Sequence, residues 1–400
     1  MRILFIALGF FPNGLAISTR IVNYARLFHD CGFEVHVIAD YTAEPVTGNE
    51  IQHFENCTYQ AVTQAALNRN FKLSSRIFNA NNSLKLVKKY IENNHVDMVV
   101  TSTCYDRFRK LRKLCSKHSL PLTLDITEWY DVSGVKYGKF NPFYMNYTRS
   151  MEKDFKTADK FFTISTLLHN YYAATGKETL RIPTILDTSR MPPFLKTENE
   201  KIRITYAGFS GRGKESFREI LEALALLGEK RKQFEVHVYG CSKAAFLARL
   251  GEDTGLFERV QETVTIKGRV PQAQVHEVFG NSDYSIFMRP NKHSNQAGFP
   301  TKLAESLTAG TPVICNDTGD IGLYLKNGVN GFLLPDSAAP TILSVFETIL
   351  AMKPAETAEM RRQARETAEA SFDYRNYIEP VKALFSSFCK ASKEPGEGRP

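Results

Sequence analysis

Short runs of apolar residues recur along the chain, separated by longer amphipathic stretches. In the first half they occupy residues 3–8, 33–39, 96–101, 122–125 and 161–164. Such runs are typical of strands buried on both faces of a parallel sheet, and the stretches between them, such as residues 18–31, have the period of helices. The pattern therefore predicts repeated β-α-β units.

The same rhythm begins again at I-R-I-T-Y-A-G, near residue 202. It continues through apolar runs at residues 234–240, 264–266, 284–288, 312–315 and 331–334. Two successive series predict an α/β chain of two Rossmann-like, doubly wound parallel-sheet domains facing a central cleft. Ligands of such folds bind beyond the carboxyl ends of the strands, so the cleft is the expected site.

The boundaries of these domains follow from breaks in the pattern. The segment D-T-S-R-M-P-P-F-L-K-T-E-N-E has adjacent prolines and no periodicity, which predicts a first domain at 1–187, a linker at 188–200 and a second domain at 201–372. The amphipathic stretch 373–389 has no strand of its own to cover, so we expect it to cross back onto the first domain. Residues 390–400, rich in glycine, proline and charge, are predicted to be disordered.

The composition indicates where in the cell the chain works and which partners it binds. No apolar run approaches the roughly 20 residues of a membrane span, and the first strand does not resemble a signal peptide. Seven cysteines without C-x-x-C pairs indicate a reducing cytoplasm. A net charge of +8 favours anionic partners, but the basic residues lack the interleaved aromatics of nucleic-acid-binding modules, so we expect no nucleic acid.

The richest cluster of chemistry-bearing residues is Q-A-G-F-P-T-K-L-A-E-S-L-T-A-G-T-P-V-I, residues 296–314. A helix is predicted to start at Thr301, with Lys302 in its first turn, Glu305 on the second, and Gly310 closing it. The unpaired N–H groups of a helix start bind anions, and Lys302 adds a positive charge. Glu305 would repel phosphate but can accept two sugar hydroxyls. The cluster predicts a nucleotide with its diphosphate at the helix tip and its ribose at Glu305.

Two further basic features are expected at the same sheet edge. The turn Y-A-G-F-S-G-R-G-K-E-S places Arg212 and Lys214 between a strand and a helix, and Arg289 directly follows another strand. Arg212 and Lys214 are the predicted phosphate clamp, and an arginine fork suits a diphosphate. The glycine spacing is neither that of dinucleotide-binding proteins nor that of ATPases. The alternatives are a turn with solvated bases and, for Arg289, a structural salt bridge.

The first domain offers weaker candidates. The loop G-F-F-P-N-G after the first strand contains Gly14, which either lets the backbone approach a sugar or phosphate or simply makes a tight turn before a helix capped near Ser18. In L-T-L-D-I-T-E-W-Y-D, Asp125 and Glu128 can accept a proton from an attacking alcohol while Trp129 packs on a sugar ring. A capping aspartate with a half-buried tryptophan is the alternative. Ser165 is predicted to cap the following helix.

One predicted helix of the first domain is strongly basic. Its cations follow one another at close spacing and are Arg107, Arg109, Lys110, Arg112, Lys113 and Lys117. A basic amphipathic helix can lie on an anionic membrane surface. A solvated face with its apolar side in the core is the other interpretation, and the sequence does not separate the two.

Together these motifs resemble those of GT-B fold nucleotide-sugar glycosyltransferases of glycosyltransferase family 4, in particular bacterial enzymes of capsular, exopolysaccharide or O-antigen synthesis. The similar segments are the F-F-P-N-G loop, the Y-A-G…G-K turn, G-R-V-P at 268–271, the 296–314 core and N-G-V-N-G-F-L-L. The resemblance implies that Lys214 with Arg212 clamps the donor diphosphate. It implies that Gly298, Phe299 and Thr301 lie at the donor, and that Glu305 is the second glutamate of the E-x7-E motif.

The chain departs from that motif at one position. Ala297 stands where the first glutamate of the motif contacts the transferred sugar. Asn295, Gln296 or the backbone of 297–299 are the candidates to replace it. The family's histidine in the first domain has no match, which leaves Asp125 and Glu128 as candidates for its role.

The resemblance implies a retaining hexosyltransferase that moves a sugar from a nucleoside diphosphate to a glycan or polyprenyl-linked acceptor. No D-x-D carboxylate pair is present, so we expect no metal and no cofactor beyond the donor itself. The expected location is the cytoplasm or the inner face of the plasma membrane. A GT-B type nucleotide-sugar epimerase and a non-catalytic nucleotide-sugar-binding scaffold are the alternatives.

Overall fold

The computed structural model describes residues 1–14, 16–45, 50–65, 73–132, 137–194, 200–208 and 214–391. The chain divides into two compact units, Met1–Leu186 with Tyr374–Pro400, and Asp187–Asp373. Each unit is built on its own sheet of mostly parallel strands, which confirms the α/β class predicted from the apolar runs. None of the helices within these ranges is long and apolar enough to cross a membrane.

The first unit alternates strands with helices. Its elements in chain order are β1 (Arg2–Phe10), α1 (Ala16–Asp30), β2 (Glu34–Thr42), β3 (Gln52–Phe54), β4 (Cys57–Gln64), α2 (Leu73–Asn93), β5 (Met98–Ser102), α3 (Phe108–Lys117), β6 (Leu122–Ile126), α4 (Pro142–Arg149), β7 (Lys160–Thr163), α5 (Thr166–Ala173) and β8 (Thr179–Arg181). The sheet order is β3-β4-β2-β1-β5-β6-β7-β8, with β3 antiparallel to β4 and the other neighbours parallel. The five predicted strands are β1, β2, β5, β6 and β7; β3, β4 and β8 were not predicted.

The second unit repeats the plan with a parallel sheet, and the last helix of the chain follows it. The elements are β9 (Ile202–Ala207), α6 (Arg218–Leu226), β10 (Phe234–Tyr239), α7 (Lys243–Leu250), α8 (Thr254–Val260), β11 (Val264–Gly268), α9 (Val275–Gly280), β12 (Tyr284–Phe287), α10 (His293–Ala297), α11 (Thr301–Thr308), β13 (Val313–Asn316), α12 (Ile321–Tyr324), β14 (Gly331–Leu334), α13 (Ala339–Ala351), α14 (Pro354–Phe372) and α15 (Ile378–Ala391). The sheet order is β11-β10-β9-β12-β13-β14.

The strand order of each sheet fixes where a ligand can bind. In the first unit β1 pairs with β2 on one side and β5 on the other, and in the second β9 pairs with β10 and β12. The chain therefore runs outwards in both directions from β1 and from β9. Loops leaving the carboxyl ends of such central strands diverge and open a crevice. The loops after β9 and β12 carry most of the predicted site residues.

Helix α15 belongs to the first unit, as predicted. The ring of Phe385 lies 6.0 Å from that of Phe28, 5.9 Å from Phe33 and 5.7 Å from Phe162, so the helix covers the aromatic core between α1 and the sheet. The buried Lys160 reaches it through a bond to the Ser387 hydroxyl at 2.6 Å. The helix still includes residues 390 and 391, predicted to be disordered; residues 392–400 lie outside the described ranges.

The segment predicted as a linker is packed onto the second unit along its first half. Thr188 is buried, and its backbone N–H and hydroxyl both donate to Asp373. The Arg365 guanidinium donates to the carbonyls of Thr188 and Met191, and the ring of Phe194 lies 5.1 Å from that of His276. Adjacent prolines favoured an extended chain, but partners distant in sequence fix it. Residues 195–199 are not among those described.

Candidate functional site

Helix α11 begins where the sequence placed it. Pro300 precedes it in an extended conformation, and Thr301 is its first residue. No side chain among the described residues caps its start, so its first N–H groups are available to an anion at the carboxyl edge of the sheet. Buried Leu303 and Leu307 hold the helix on the core. Gly310 then adopts a φ of +74°, which lets the chain reverse into β13.

Lys302 does not project freely from that helix. Its Nζ lies 2.7 Å from a carboxylate oxygen of Glu215 and 3.4 Å from the Gly208 carbonyl. It also stands 4.3 Å above the centroid of the Tyr206 ring, close enough for a cation–π contact. The positive charge predicted at the helix tip is therefore balanced by a buried carboxylate. Glu215 follows Lys214 directly in the sequence, but its partner lies far along the chain.

The protonation of this pair is set by burial. Burial lowers the pKa of Lys302 below its usual value, and the Glu215 carboxylate acts in the opposite direction. Tyr206 donates its hydroxyl hydrogen to the same carboxylate, and burial together with the Glu215 charge raises the pKa of Tyr206. Glu215 thus helps to keep Lys302 charged in an environment that favours the neutral amine.

Glu305 lies one turn further along α11 and is also buried. One of its oxygens accepts a hydrogen bond from Nε2 of Gln272 at 2.8 Å. Burial raises the pKa of Glu305, and the Gln272 bond acts in the opposite direction. Gln272 belongs to the turn Gln272–Gln274 after the G-R-V-P segment, where no local motif indicates its role. A neutral, surface-exposed amide is a partner that a ribose hydroxyl can replace.

The end of β12 is braced by two asparagines. Asn316 accepts from the backbone N–H of Arg289 at 2.7 Å and donates to its carbonyl at 2.8 Å. Asn295, fully buried, accepts from the Arg289 guanidinium at 3.1 Å and donates to the carbonyls of Pro290 and Lys214. These bonds engage both ends of the Asn295 amide. The hypothesis that Asn295 replaces the first glutamate of the E-x7-E motif does not fit this arrangement.

Residues 209–213 of the glycine-rich turn, Arg212 among them, lie outside the described residues. The Lys214 carbonyl accepts from Asn295 at 3.1 Å, and the N–H of Ser216 bonds to the Met288 carbonyl at 3.0 Å. The turn is thereby attached to the end of β12, which brings Lys214, Arg289 and Lys302 to the same edge of the sheet.

The residues around Ala297, at positions 296–299, differ in their surroundings. Ala297 is fully buried, and the Gly298 N–H closes α10 by bonding to the Ser294 carbonyl at 3.1 Å. The ring of Phe299 lies 5.5 Å from that of Tyr324 and 5.7 Å from that of Phe372. The ring of Phe299 therefore packs in the core, and the predicted donor contact at this position is left to its backbone. Half-buried Gln296 donates to Asn291 at 2.7 Å.

In the first unit, Asp125 is not a free carboxylate. It is buried on β6, where one oxygen lies 2.7 Å from Nη2 of Arg20 and the other 3.0 Å from its Nε. Tyr24 also donates to it, at 3.1 Å. Since both oxygens are held by a bidentate arginine, Asp125 does not fit the predicted role of catalytic base. The partner lies on α1, which the sequence could not indicate.

Glu128 and Trp129 follow β6 at the sheet edge, as predicted. The Tyr147 hydroxyl donates to the Glu128 carbonyl at 2.9 Å, and the ring of Trp129 meets that of Tyr171 edge-on at 4.7 Å. Burial, followed by the Glu128 charge and hydrogen bond, raises the pKa of Tyr130. Glu128 remains the candidate acid or base of this unit. Ser165 caps α5 by accepting from the Leu168 N–H, as predicted.

Gly14 has a local steric reason to be glycine. An added Cβ would lie 2.1 Å from the Ser18 hydroxyl oxygen and 2.8 Å from Cβ of Phe10. Ser18 does not cap α1: it lies within the helix and donates to the Phe10 carbonyl at 2.8 Å. These contacts support the tight-turn interpretation of this loop and give no separate support to a ligand contact at Gly14.

The basic helix is α3, and its cations do not share one face. Arg107 precedes it and is buried, with its guanidinium 2.7 Å from Asp40, while Arg112 pairs with Asp159. Arg109, Lys110, Lys113 and Lys117 are exposed. The predicted basic surface is therefore smaller than the sequence suggested. Among the described residues, no three His, Cys, Asp or Glu side chains form a cluster that could hold a metal.

Comparison with known proteins agrees with this geometry. Residues 192–370 match the family model described as Glycosyl transferases group 1. Sucrose-phosphate synthase from Thermosynechococcus elongatus is similar in structure, with 16% identity and a TM-score of 0.73 over 98% of this chain and 99% of that one. HepE from Anabaena, in complex with UDP and glucose, has 14% identity and a TM-score of 0.68 over 97% of this chain and 100% of that one.

A third similar structure is TarM from S. aureus, in complex with fondaparinux, α-GlcNAc-glycerol and UDP. It has 15% identity and a TM-score of 0.56 over 76% of this chain and 59% of that one. Comparison with curated protein sequences gives no significant match. The two parallel-sheet units give the chain the GT-B fold of these structures, and its second unit matches the family model of group 1 glycosyl transferases. The matched residues lie within the second unit and include α11 with Lys302 and Glu305.

Proposed function

We propose that the chain is a retaining, metal-independent hexosyltransferase of family 4, which moves a sugar from a nucleoside diphosphate to a hydroxyl of a glycan or polyprenyl-linked acceptor in bacterial surface polysaccharide synthesis. The observation that carries the proposal is the uncapped start of α11 at the sheet edge, with Lys302 and Glu305 on its first turns. Retention of configuration and independence of metal are taken from the resemblance to that family.

In this mechanism the diphosphate lies at the start of α11, and the ribose hydroxyls bond to Glu305. As the bond between sugar and phosphate stretches, the sugar becomes cation-like and the diphosphate gains negative charge. Lys214, Arg289, Lys302 and the N–H groups after Pro300 are the groups that would stabilise that charge. Their effect is largest where water is excluded, which also limits hydrolysis of the donor.

The Lys302–Glu215 pair gives this mechanism a specific first step. Before donor arrives, Glu215 balances Lys302 at 2.7 Å. When the diphosphate binds, Lys302 gains a second anionic partner, while Tyr206 continues to donate to Glu215. Lys302 is therefore charged and positioned before the donor enters, so little reorganisation is needed at the reacting bond.

The similar structures support a nucleotide donor and a sugar-containing acceptor for this chain. HepE is described with UDP and glucose, and TarM with UDP and α-GlcNAc-glycerol. For the acceptor side we propose Glu128 as the group that interacts with the attacking hydroxyl, beside Trp129 at the edge of the first sheet. We place the enzyme in the cytoplasm, in peripheral contact with the inner face of the plasma membrane.

A donor screen tests the proposal. Wild type and Lys214→Ala are compared over a panel of UDP-, GDP- and ADP-sugars by thermal shift and by released nucleoside diphosphate, with Lys230→Ala on the surface as a matched control. We expect one donor to stabilise the protein and to lose its diphosphate slowly, in wild type and in the control but not in Lys214→Ala.

Two other outcomes would contradict the proposal. Binding without release, even with membrane extract as acceptor, would indicate a nucleotide-sugar-binding scaffold. Conversion of the sugar with its diphosphate still attached would indicate an epimerase.

A further inference from the structure

The first unit presents an unusually apolar surface beside α4. Among the described residues, the large apolar side chains with high exposure are concentrated between positions 130 and 145. Phe140 is 85% exposed, Tyr137 70% and Met145 57%, and Phe143 is exposed as well. We call Tyr137, Phe140, Phe143 and Met145 the aromatic ridge. Single exposed apolar residues are ordinary, but several adjacent ones mark an interaction surface.

The aromatic ridge is held in place by a well-bonded frame. Asn141 caps α4 by accepting from the N–H groups of Phe143 and Tyr144, at 2.9 and 3.3 Å, and Pro142 occupies the first helical position. On the inner side of the helix, Tyr147 is buried and its hydroxyl bonds to the Glu128 carbonyl. Phe143 and Met145 therefore stand on a helix whose other face is fixed to the unit, and Tyr137 and Phe140 lie in the turn just before it.

Exposed cations lie beside the aromatic ridge. Lys139 is exposed between Tyr137 and Phe140. On the neighbouring helix, Arg109 is exposed and donates to Asn146 of α4 at 3.5 Å, so α3 adjoins the ridge. We call Lys139 and the exposed cations of α3 and α4 the basic rim; its members are Lys139, Arg149, Arg109, Lys110, Lys113 and Lys117. The acidic groups beside it include Asp106 and Glu152, which are exposed, Asp159, which pairs with Arg112, and Asp154, which is shielded between Arg109 and Arg149.

We propose that the aromatic ridge and the basic rim together form the surface by which this protein docks on an anionic lipid bilayer. Aromatic side chains prefer the boundary between head groups and acyl chains, where Phe140 and Met145 can bury their apolar surface. The basic rim contacts anionic head groups, each nearby cation adding to the attraction. The two signals combine, because neither apolar insertion nor charge alone gives stable peripheral binding.

The shape of the surface favours a bilayer over a sugar. Sugar-binding aromatics lie in concave sites with polar groups around them, because a glycan needs hydrogen bonds as well as a ring face. The side chain of Phe140 stands almost entirely in solvent instead. The inference deepens the proposed membrane contact and rests on it, but it does not depend on which donor the enzyme uses.

The test is co-sedimentation of the full chain with lipid vesicles. Vesicles of phosphatidylcholine alone are compared with vesicles containing about one third phosphatidylglycerol, at low and high salt. We expect binding to the anionic vesicles, weakened by salt. The double variant Phe140→Ser with Met145→Ser should bind roughly ten-fold or more weakly, because two apolar side chains no longer leave water. Lys113→Glu with Lys117→Glu should weaken binding mainly at low salt.

The matched control carries Leu226→Ser and Leu323→Ser, two similarly exposed apolar residues of the second unit, and should bind as wild type does. Failure of wild type to bind anionic vesicles, or equal binding by the ridge variant, would overturn the proposal. So would a ridge variant that binds vesicles normally but shows a raised KM for a water-soluble acceptor, since the ridge would then belong to the acceptor site. Diphosphate release without vesicles, which the ridge variant should retain, reports separately on the proposed function.

Discussion

The two units each bury a carboxylate near the carboxyl edge of a sheet, and they treat it differently. Asp125 of the first unit is held by both nitrogens of the Arg20 fork, and Glu305 of the second by the amide of Gln272. The first partner is a charge that cannot leave without a large cost. The second is a neutral, exposed side chain that a ligand can displace. Burial alone does not identify a functional carboxylate; the nature of its partner does.

The largest expected effect comes from breaking the Asp125 pair. Asp125→Ala leaves the Arg20 guanidinium buried and uncompensated, so we expect a loss of about 3–5 kcal/mol in the free energy of unfolding. Urea unfolding measures it. Glu34→Ala, which breaks the exposed pair with Arg2, is the control and should cost about 1 kcal/mol or less. A small loss of stability for Asp125→Ala would contradict the structural role assigned to the Asp125–Arg20 pair.

Glu305→Gln tests the proposed ligand-binding role of the second carboxylate. A ribose bonded to a carboxylate loses about 1.5–3 kcal/mol when that acceptor becomes an amide, so donor affinity should fall roughly ten- to a hundred-fold. Calorimetric titration with the donor identified by the screen measures it, with exposed Glu277→Gln as control. An unchanged affinity would place the ribose elsewhere.

The same variant should change the pH dependence of stability. Burial raises the folded-state pKa of Glu305 above its unfolded value. Ionisation of Glu305 therefore leaves the free energy of unfolding unchanged below the unfolded pKa, and it lowers that free energy as pH rises to the folded-state pKa. Glu305→Gln removes that loss. We expect its stability relative to wild type to improve from acidic to neutral pH in thermal melts without donor. A constant difference across that range would contradict the raised pKa.

Glu215→Gln should shift the pH dependence of donor binding more than it changes the maximal affinity. In the proposed mechanism Lys302 binds the diphosphate in its charged form, and Glu215 is the main group that opposes the lowering of its pKa by burial. Without that carboxylate, donor binding should be lost at a lower pH on the basic side of the profile. Exposed Glu258→Gln serves as control and should leave the profile in place. If the variant and wild type lose donor binding at the same high pH, deprotonation of Lys302 is not the cause of that loss.

The smallest effect is expected for Gln272→Ala. Its amide, ahead of the Lys302 charge, lowers the pKa of Glu305 against burial, so without it the loss of donor binding on the acidic side should move to higher pH. In the proposed mechanism the donor displaces this amide, so affinity near the optimum should change by less than about ten-fold. Exposed Gln274→Ala is the neighbouring control. A loss as large as that of Glu305→Gln would show that Gln272 contacts the donor itself.

How far the sequence predicts this molecule depends on how local each signal is. Central strands such as β1 are continuous apolar runs and were predicted, as was the start of α11, because proline and helix formers mark it locally. Strand β4, with the sequence C-T-Y-Q-A-V-T-Q, lies towards the edge of the sheet and alternates too weakly to be recognised. Strand β8 is only three residues long, Thr179–Arg181.

The partners of the site residues could not be predicted, because each lies far away along the chain. Glu215 and Lys302 are 87 positions apart, and Arg20 and Asp125 are 105 apart. Arg107 and Arg109 look alike in the sequence, yet one is buried against Asp40 and the other is exposed. The sequence can thus name the residue types at a sheet edge, but only the fold decides which charges are balanced.

Helix α15 gives the chain an order of assembly. The second unit is inserted between the body of the first and the helix that covers its aromatic core. During synthesis, all residues of the second unit leave the ribosome before Phe385 does, so that unit can fold while Phe28, Phe33 and Phe162 still lack their cover. The amino-terminal unit is therefore the last to be completed, and premature termination before residue 378 would leave its core open to aggregation and proteolysis.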